Sequence, residues 1–317
     1  MHGLFEALCG SGENRIIRKK VTIVAVYVTL ALILGAIIAF GISSRTAKSG
    51  NEDDKKNDSN ETAYVALSLT SNKIKSGDLI LVNKNNAISF EENSELVSLV
   101  TNKNYGLKDG SLKANPEALA AFDSMMADLN ASVEKPDVVV MTAYRTKEFQ
   151  DSLNNGTPGG CSDFHTGMSF ELKDGSAYDD SYDDLNKTDK YAWLYANAHK
   201  YGFVVRYPDD TDTKSFSAIT GVSDYGYVFR YVGIAHATYM YEKNLCLEEY
   251  LELLRTSYKY GNSLKIGKNY EVYYVESAGG TTEVKVPTNF EYEISGDNMN
   301  GYIVTVFKSK AVKQTTK

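Results

Sequence analysis

Histidine, cysteine and tryptophan are all scarce in this chain, which has four, three and one of them among 317 residues. Three cysteines are too few for a disulfide framework. Cys9 stands far from Cys161 and Cys246, and the sequence leaves open whether those two form a bridge or remain partly buried thiols. Apart from His2, the histidines are His165, His199 and His236; the last two read as helix-surface or capping residues, and neither has a second His or a Cys at metal-ligand spacing. An excess of positive charge is also missing. Lys and Arg number 34 against 41 Asp and Glu, a net charge of −7. That balance argues against a nucleic-acid partner, which needs a basic face to neutralise phosphate. The chain is not poor in apolar residues: 43% are hydrophobic and 24% charged, enough to bury a core.

What is present begins with one long apolar run. Val21 to Ser43 reads VTIVAVYVTLALILGAIIAFGIS without a charge, about the length that crosses a ~30 Å hydrocarbon layer. Arg15, Arg18, Lys19 and Lys20 precede it, so the positive-inside rule predicts a cytoplasmic N-terminus. The run is longer than a cleaved signal's apolar region and no A-x-A site follows, which predicts an uncleaved single-pass anchor with the C-terminal bulk outside the cell. Residues 44–62 are polar and charged, the composition of a flexible stalk. The expected organisation is therefore a cytoplasmic segment 1–20, a transmembrane anchor 21–43, a stalk 44–62, a folded core 63–260 and a β-rich appendage 261–317.

Within the core, GDLILVN (77–83) reads as a short strand. Asn115-Pro116 reads as the cap and first turn of a helix whose Leu119, Phe122, Met126 and Leu129 share a face. DVVVMTAY (137–144) reads as a buried strand. A helix is expected over 188–201, stopping at Gly202, and a helix pair over 234–258 broken near Asn244. From Asn262 onward, alternating Tyr- and Val-rich segments separated by Gly-Gly and Ser-Gly-Asp-Asn predict antiparallel strands. Helices and short strands in no strict βαβ order indicate an α+β fold with a small antiparallel sheet.

Four segments, in order, carry a specific pattern: TAYRTKEFQ (142–150), SDFHTGMSFEL (162–172), WLYANAHKYGFVVRYP (193–208) and TGVSDYGYVFRYVG (220–233). Together they resemble the VanY-like D-alanyl-D-alanine carboxypeptidases, across about residues 77–254. The resemblance implies a zinc peptidase core whose metal takes three protein ligands and a water, with a carboxylate beside that water as general base. Gapless matching places Phe164, Glu171 and Val228 at the family's three ligand positions and Tyr225 at its general base. Among these only Glu171 could touch zinc, with His165, one residue from Phe164, as the other residual metal candidate. The substrate side is retained. Arg145 matches the arginine that receives a C-terminal carboxylate, a role suited to a planar bidentate donor, and Gln150 and Ser162 also match. The alternative for Arg145 is a pairing with an acidic core neighbour. Arg206 and Arg230 sit inside packing motifs and read as structural.

These observations lead to an expected pseudoenzyme that holds no zinc and binds peptidoglycan stem peptides, or a partner protein of the wall or membrane. The alternative is an active zinc D-Ala-D-Ala carboxypeptidase with an atypical metal site.

Overall fold

The computed structural model describes residues 62–88, 95–175 and 183–311. The expected cytoplasmic segment, the 21–43 anchor and nearly all of the stalk lie outside them. Among the described residues, no helix is long and apolar enough to cross a membrane.

The strands are β1 Tyr64–Thr70, β2 Val97–Ser98, β3 Gly106–Leu107, β4 Lys113–Ala114, β5 Val138–Thr142, β6 Ser169–Asp174 and β7 Asp183–Asp184. They continue as β8 Phe203–Val205, β9 Val228–Tyr231, β10 Leu264–Ile266, β11 Tyr270–Glu276, β12 Thr281–Pro287, β13 Phe290–Gly296 and β14 Gly301–Ala311. The helices are α1 Pro116–Ser132, α2 Lys147–Ser152, α3 Ala192–Asn197, α4 Phe216–Thr220, α5 Ile234–Lys243 and α6 Leu247–Ser257.

The central sheet runs β3-β5-β6-β9-β8, with β7 on β6. It is antiparallel except for the parallel β3–β5 pair, so the sheet is mixed rather than wholly antiparallel. Against it packs α1. Its Asn115 side chain accepts from the backbone of Glu117 and Ala118, and Pro116 fills the first turn, where a missing N–H costs nothing. Its inner face buries Phe122, Met125, Met126 and Leu129, and the Phe122 ring stacks on Phe170 of β6 at 4.4 Å. Three central strands therefore have a solid backing, and their other ends are free to carry side chains into a cleft.

Two expected elements differ. The 77–83 segment is buried at Leu79, Ile80, Leu81 and Val82 yet forms no strand. Its backbone is satisfied by side chains and by the far end of the chain. Arg230 Nη2 donates to the carbonyls of Asp78 (2.9 Å) and Ile80 (3.3 Å), the Leu79 amide donates to Ser295 Oγ, and the Leu81 amide donates to the Asp297 carbonyl. An apolar run signals burial, and it cannot tell a ladder from a strap. The 188–201 helix is broken into 3₁₀ turns around α3. The helix pair appears as read, with Asn244 in the left-handed region (φ 51°) between α5 and α6.

The C-terminal strands form a β10-β11-β14-β13 sheet, and β12 pairs with β1 from Tyr64↔Pro287 to Thr70↔Thr281. The first strand after the stalk, counted with the core in the sequence, is thus joined to the appendage. One hydrophobic cluster includes Leu79 of the strap, Val232, residues of α5 and α6, and Leu264, Val272 and Ile303 of the appendage. His236 is not a helix-surface residue. It is buried, with Nδ1 against Tyr250 Oη (2.7 Å) and Nε2 against Thr305 Oγ1 (2.9 Å), so it ties α5 and α6 to β14.

Asp78 of the strap faces Glu117 on α1 and Glu293 on β13. Burial first and then Glu117 push its carboxyl up to about 7, with Glu293 adding to the rise and Arg230 opposing it. The folded value stands above the ordinary 3.8, so this group's stabilising contribution is complete below that value and is lost as pH rises through about 7. Melting temperature should therefore fall between pH 5 and 8. Asp78→Asn should flatten that slope and stabilise the fold at pH 8 by roughly 1–3 kcal/mol, read by thermal denaturation. A variant with the wild-type slope would contradict this assignment.

Candidate functional site

The site grows from the ends of β5, β6 and β9. Arg145 follows β5 through a short turn, where the Tyr144 amide donates to the Lys113 carbonyl and the Arg145 amide to the Phe164 carbonyl. Its guanidinium is held on three sides. Nε donates to Thr142 Oγ1 (3.4 Å), Nη1 to Gln150 Oε1 (3.2 Å) and Nη2 to Glu171 Oε2 (3.1 Å). Its Cζ lies 4.1 Å from the centre of the Phe164 ring, a cation–π contact. Gln150 is itself buried and fixed, its amide donating to Asn155 Oδ1 and the Thr157 carbonyl.

Glu171 on β6 is the direct antiparallel partner of Val228 on β9. Residues directly opposite in such a pair project from the same face. Tyr225, just ahead of β9, is close enough for its phenol to bear on the Arg145 charge. Phe164, Glu171 and Tyr225 thus lie around the Arg145 guanidinium, with Val228 opposite Glu171 in the ladder. Burial pulls Arg145 below its ordinary value against the opposing pull of Glu171. Burial likewise raises Glu171, against Arg145 and Lys173. Both partners shift toward neutrality, so the pair offsets only part of its desolvation.

His165, the residual metal candidate, is not placed for a ligand. The Gly160 amide donates to its Nε2 (2.9 Å), so Nδ1 carries the proton and donates to the Arg145 carbonyl (2.7 Å). The ring braces the loop behind Arg145. Cys161 and Cys246 are both free thiols, and no bridge joins them. Among the described residues, no group of three or more His, Cys, Asp or Glu side chains could hold a metal. The donor set at the implied zinc positions is a phenyl ring, a carboxylate already paired with a guanidinium, and an isopropyl group. A tetrahedral zinc needs three N, O or S donors plus water. The residues present do not fit that metal.

Beside these side chains an open cleft of about 440 Å³ remains, lined in part by Arg145, Gln150, Ser162, Phe164, Tyr207 and Tyr225. Arg145, Gln150 and Ser162, the expected substrate-side residues, thus line one cleft. Glu171 and Val228 are not among its lining residues.

One residue the sequence reading passed over underlies all of this. Asp163, between Ser162 and Phe164, is wholly buried and accepts from Arg206 Nε (3.0 Å) and Arg230 Nη1 (2.8 Å), with the Ser169 hydroxyl as a third donor. Burial alone would raise its carboxyl, but Arg230, Arg206 and Ser169 hold it below its ordinary value. Arg206 also makes a two-pronged contact with Glu248 of α6 at 3.0 and 2.8 Å. The available signal was one acid and two arginines inside otherwise apolar motifs, a combination that calls for mutual pairing.

The comparisons with known proteins agree with this architecture. The family model of the VanY D-alanyl-D-alanine carboxypeptidases matches residues 111–234. A D-alanyl-D-alanine carboxypeptidase of Enterococcus faecium is 31% identical over 256 residues, covering 75% of this chain and 78% of the relative. The bifunctional D-Ala-D-Ala dipeptidase and carboxypeptidase VanXYC of Enterococcus gallinarum is 27% identical over 195 residues, covering 56% of this chain and 94% of that one. Among solved structures, the vancomycin-resistance D,D-dipeptidase VanXYg, in complex with a D-Ala-D-Ala phosphinate analogue, superposes with a TM-score of 0.67 at 25% identity, over 77% of this chain and 99% of that chain. With a shared core and a relative this similar across most of both chains, the protein belongs to the VanY family of D-alanyl-D-alanine carboxypeptidases.

Proposed function

We propose that this chain is a membrane-anchored, catalytically silent member of its family that binds the D-Ala-D-Ala ends of peptidoglycan stem peptides. The observation that carries this reading is the contrast between the two halves of the site. The positions of the metal shell and general base hold Phe164, Glu171, Val228 and Tyr225, which cannot assemble a zinc-bound water. The open cleft beside them still holds Arg145, Gln150 and Ser162. A solved relative carrying a D-Ala-D-Ala phosphinate analogue supports the choice of ligand. An arginine already paired with Glu171 keeps its planar set of N–H donors but little net charge, so binding should be weak.

Three experiments test this reading. In an NMR titration, a tripeptide ending in D-Ala-D-Ala should bind saturably, and no D-alanine should accumulate on prolonged incubation. Release of D-alanine that a chelator suppresses would establish the active zinc enzyme instead.

The placement of the metal-shell positions has a direct check. The quadruple variant Phe164→His, Glu171→Asp, Tyr225→Glu and Val228→His should gain about one zinc per chain by elemental analysis, while the wild type retains none after dialysis. A folded quadruple variant that holds no zinc would show that the register of the two motifs is misassigned.

The anchor is tested in intact cells. With residues 21–43 spanning the membrane and the bulk outside, added protease should digest residues 62–317. Protection of that region would reverse the topology.

A further inference from the structure

The Arg145–Glu171 pair raises the question of where the cleft's net charge resides. Arg145 lines the cleft, but Glu171 behind it cancels its charge at 3.1 Å. A ligand carboxylate approaching Arg145 meets a guanidinium whose field is already spent on one carboxylate and which that second carboxylate partly opposes. Hydrogen bonding remains available there, whereas strong charge attraction does not.

The cleft lining carries a second cation. Asn83, Lys84 and Asn85 line the cleft from a tight turn. The turn is built, not loose. Asn83 Oδ1 accepts from the amides of Asn85 and Asn86 and from Asn86 Nδ2, each at 3.0 Å, and Asn83 and Asn86 exchange backbone hydrogen bonds at 3.3 and 3.1 Å. Two outside groups fix its position. Asn83 Nδ2 donates to Glu248 Oε1 (3.4 Å), the same carboxylate that clamps Arg206, and Asn298 Nδ2 donates to the Asn86 carbonyl (3.1 Å). At its tip Lys84 is exposed, and no ion pair or hydrogen bond engages its ammonium among the described residues. Of the lining side chains, Lys84 carries the one formal charge that no described carboxylate offsets.

We infer that Lys84 is the specificity-determining residue that reads the ligand's C-terminal carboxylate, with Arg145 reduced to a neutralised hydrogen-bonding wall. This rests on the reading of the cleft as a peptide site and adds which charge selects the ligand. The chemistry is that of a compact ammonium held over a polar cleft. It attracts a carboxylate at a distance and donates to it on contact, and salt weakens it because the group is exposed.

The test uses the full chain and two versions of one tripeptide ending in D-Ala-D-Ala, the free acid and the C-terminal amide, titrated at low and moderate salt. Wild type should prefer the acid by about three- to tenfold at low salt, and the preference should shrink as salt rises. Lys84→Met should bring the two peptides to near-equal affinity, and Lys84→Arg should restore most of the preference. If Lys84→Met keeps the wild-type preference, Arg145 reads the carboxylate and the inference falls while the peptide site stands. Equal wild-type binding of acid and amide would also overturn it without touching the peptide reading. Binding of neither peptide would remove the peptide reading itself, and this inference with it.

Discussion

The buried carboxylate of Asp163 is the interaction on which the arrangement of the site depends. It sits on the 3₁₀ turn between β5 and β6, and it receives Arg206 from the end of β8 and Arg230 from β9. Through Arg206 it reaches Glu248 on α6, and through Arg230 it reaches the carbonyls of the 77–80 strap. A carboxylate and two guanidiniums taken wholly out of water would be costly if any one were unmatched, since a broken buried pair typically costs about 3–5 kcal/mol. Here each guanidinium has further acceptors, so the cluster closes. Three sequence motifs that could each have folded as separate elements are forced into one register by a single acid. Such a cluster is weak as a source of net stability and strong as a constraint on geometry.

That constraint fixes the strand ends from within the protein, whatever stands at their front. In a zinc site the metal itself gathers ligands from two strands, and its loss would leave their ends untethered. In this chain Asp163 already holds the same strand ends from behind. The front is then free to repack, and it does so around Arg145. The Glu171 carboxylate meets the guanidinium at 3.1 Å, and Phe164 covers the guanidinium's face. Both titratable partners are pushed toward neutrality by burial, which is what a charge pair without enough solvent looks like.

How much of this the sequence carried follows from the kind of signal each part leaves. The core helix was legible because its cap, its proline and its apolar spacing are local features, and the family resemblance was legible because four ordered motifs seldom coincide. The 77–83 segment was misread as a strand because burial and β-branched or aliphatic content look alike in a strap and a ladder. His236 read as a helix-surface residue because its partners Tyr250 and Thr305 lie 14 and 69 residues away. A pairing of Arg145 with an acidic core neighbour stood among the readings, but Glu171 could not be singled out, since reach across 26 residues depends on side-chain direction and not on spacing. The Asn83–Asn86 turn left the plainest unused mark, a run of asparagines whose side chains cap their own backbone.

The C-terminal strands enter the same logic and are not a detachable accessory. Asn298, in the turn between β13 and β14, donates both to the Leu81 carbonyl (2.9 Å) and to the Asn86 carbonyl, and the Leu81 amide is paired with Asp297. The strap that runs into the Lys84 turn is therefore fastened on one side to Arg230 in the core and on the other to the appendage. Gly77, at φ 106°, lets the strap pass so close to Ser295 that an added Cβ would sit 2.5 Å from its Oγ. Asp163 sets one wall of the cleft through Arg206, Arg230 and the β5–β6 turn. The 295–298 turn, together with Glu248, sets the other. The two hydrogen-bonded systems meet at Glu248, which holds Arg206 and Asn83 at once. A change in how β13 and β14 pack would therefore reach the Lys84 turn, which lines the cleft together with Arg145. By that route a sheet remote in sequence from the four motifs takes part in deciding what the cleft can hold.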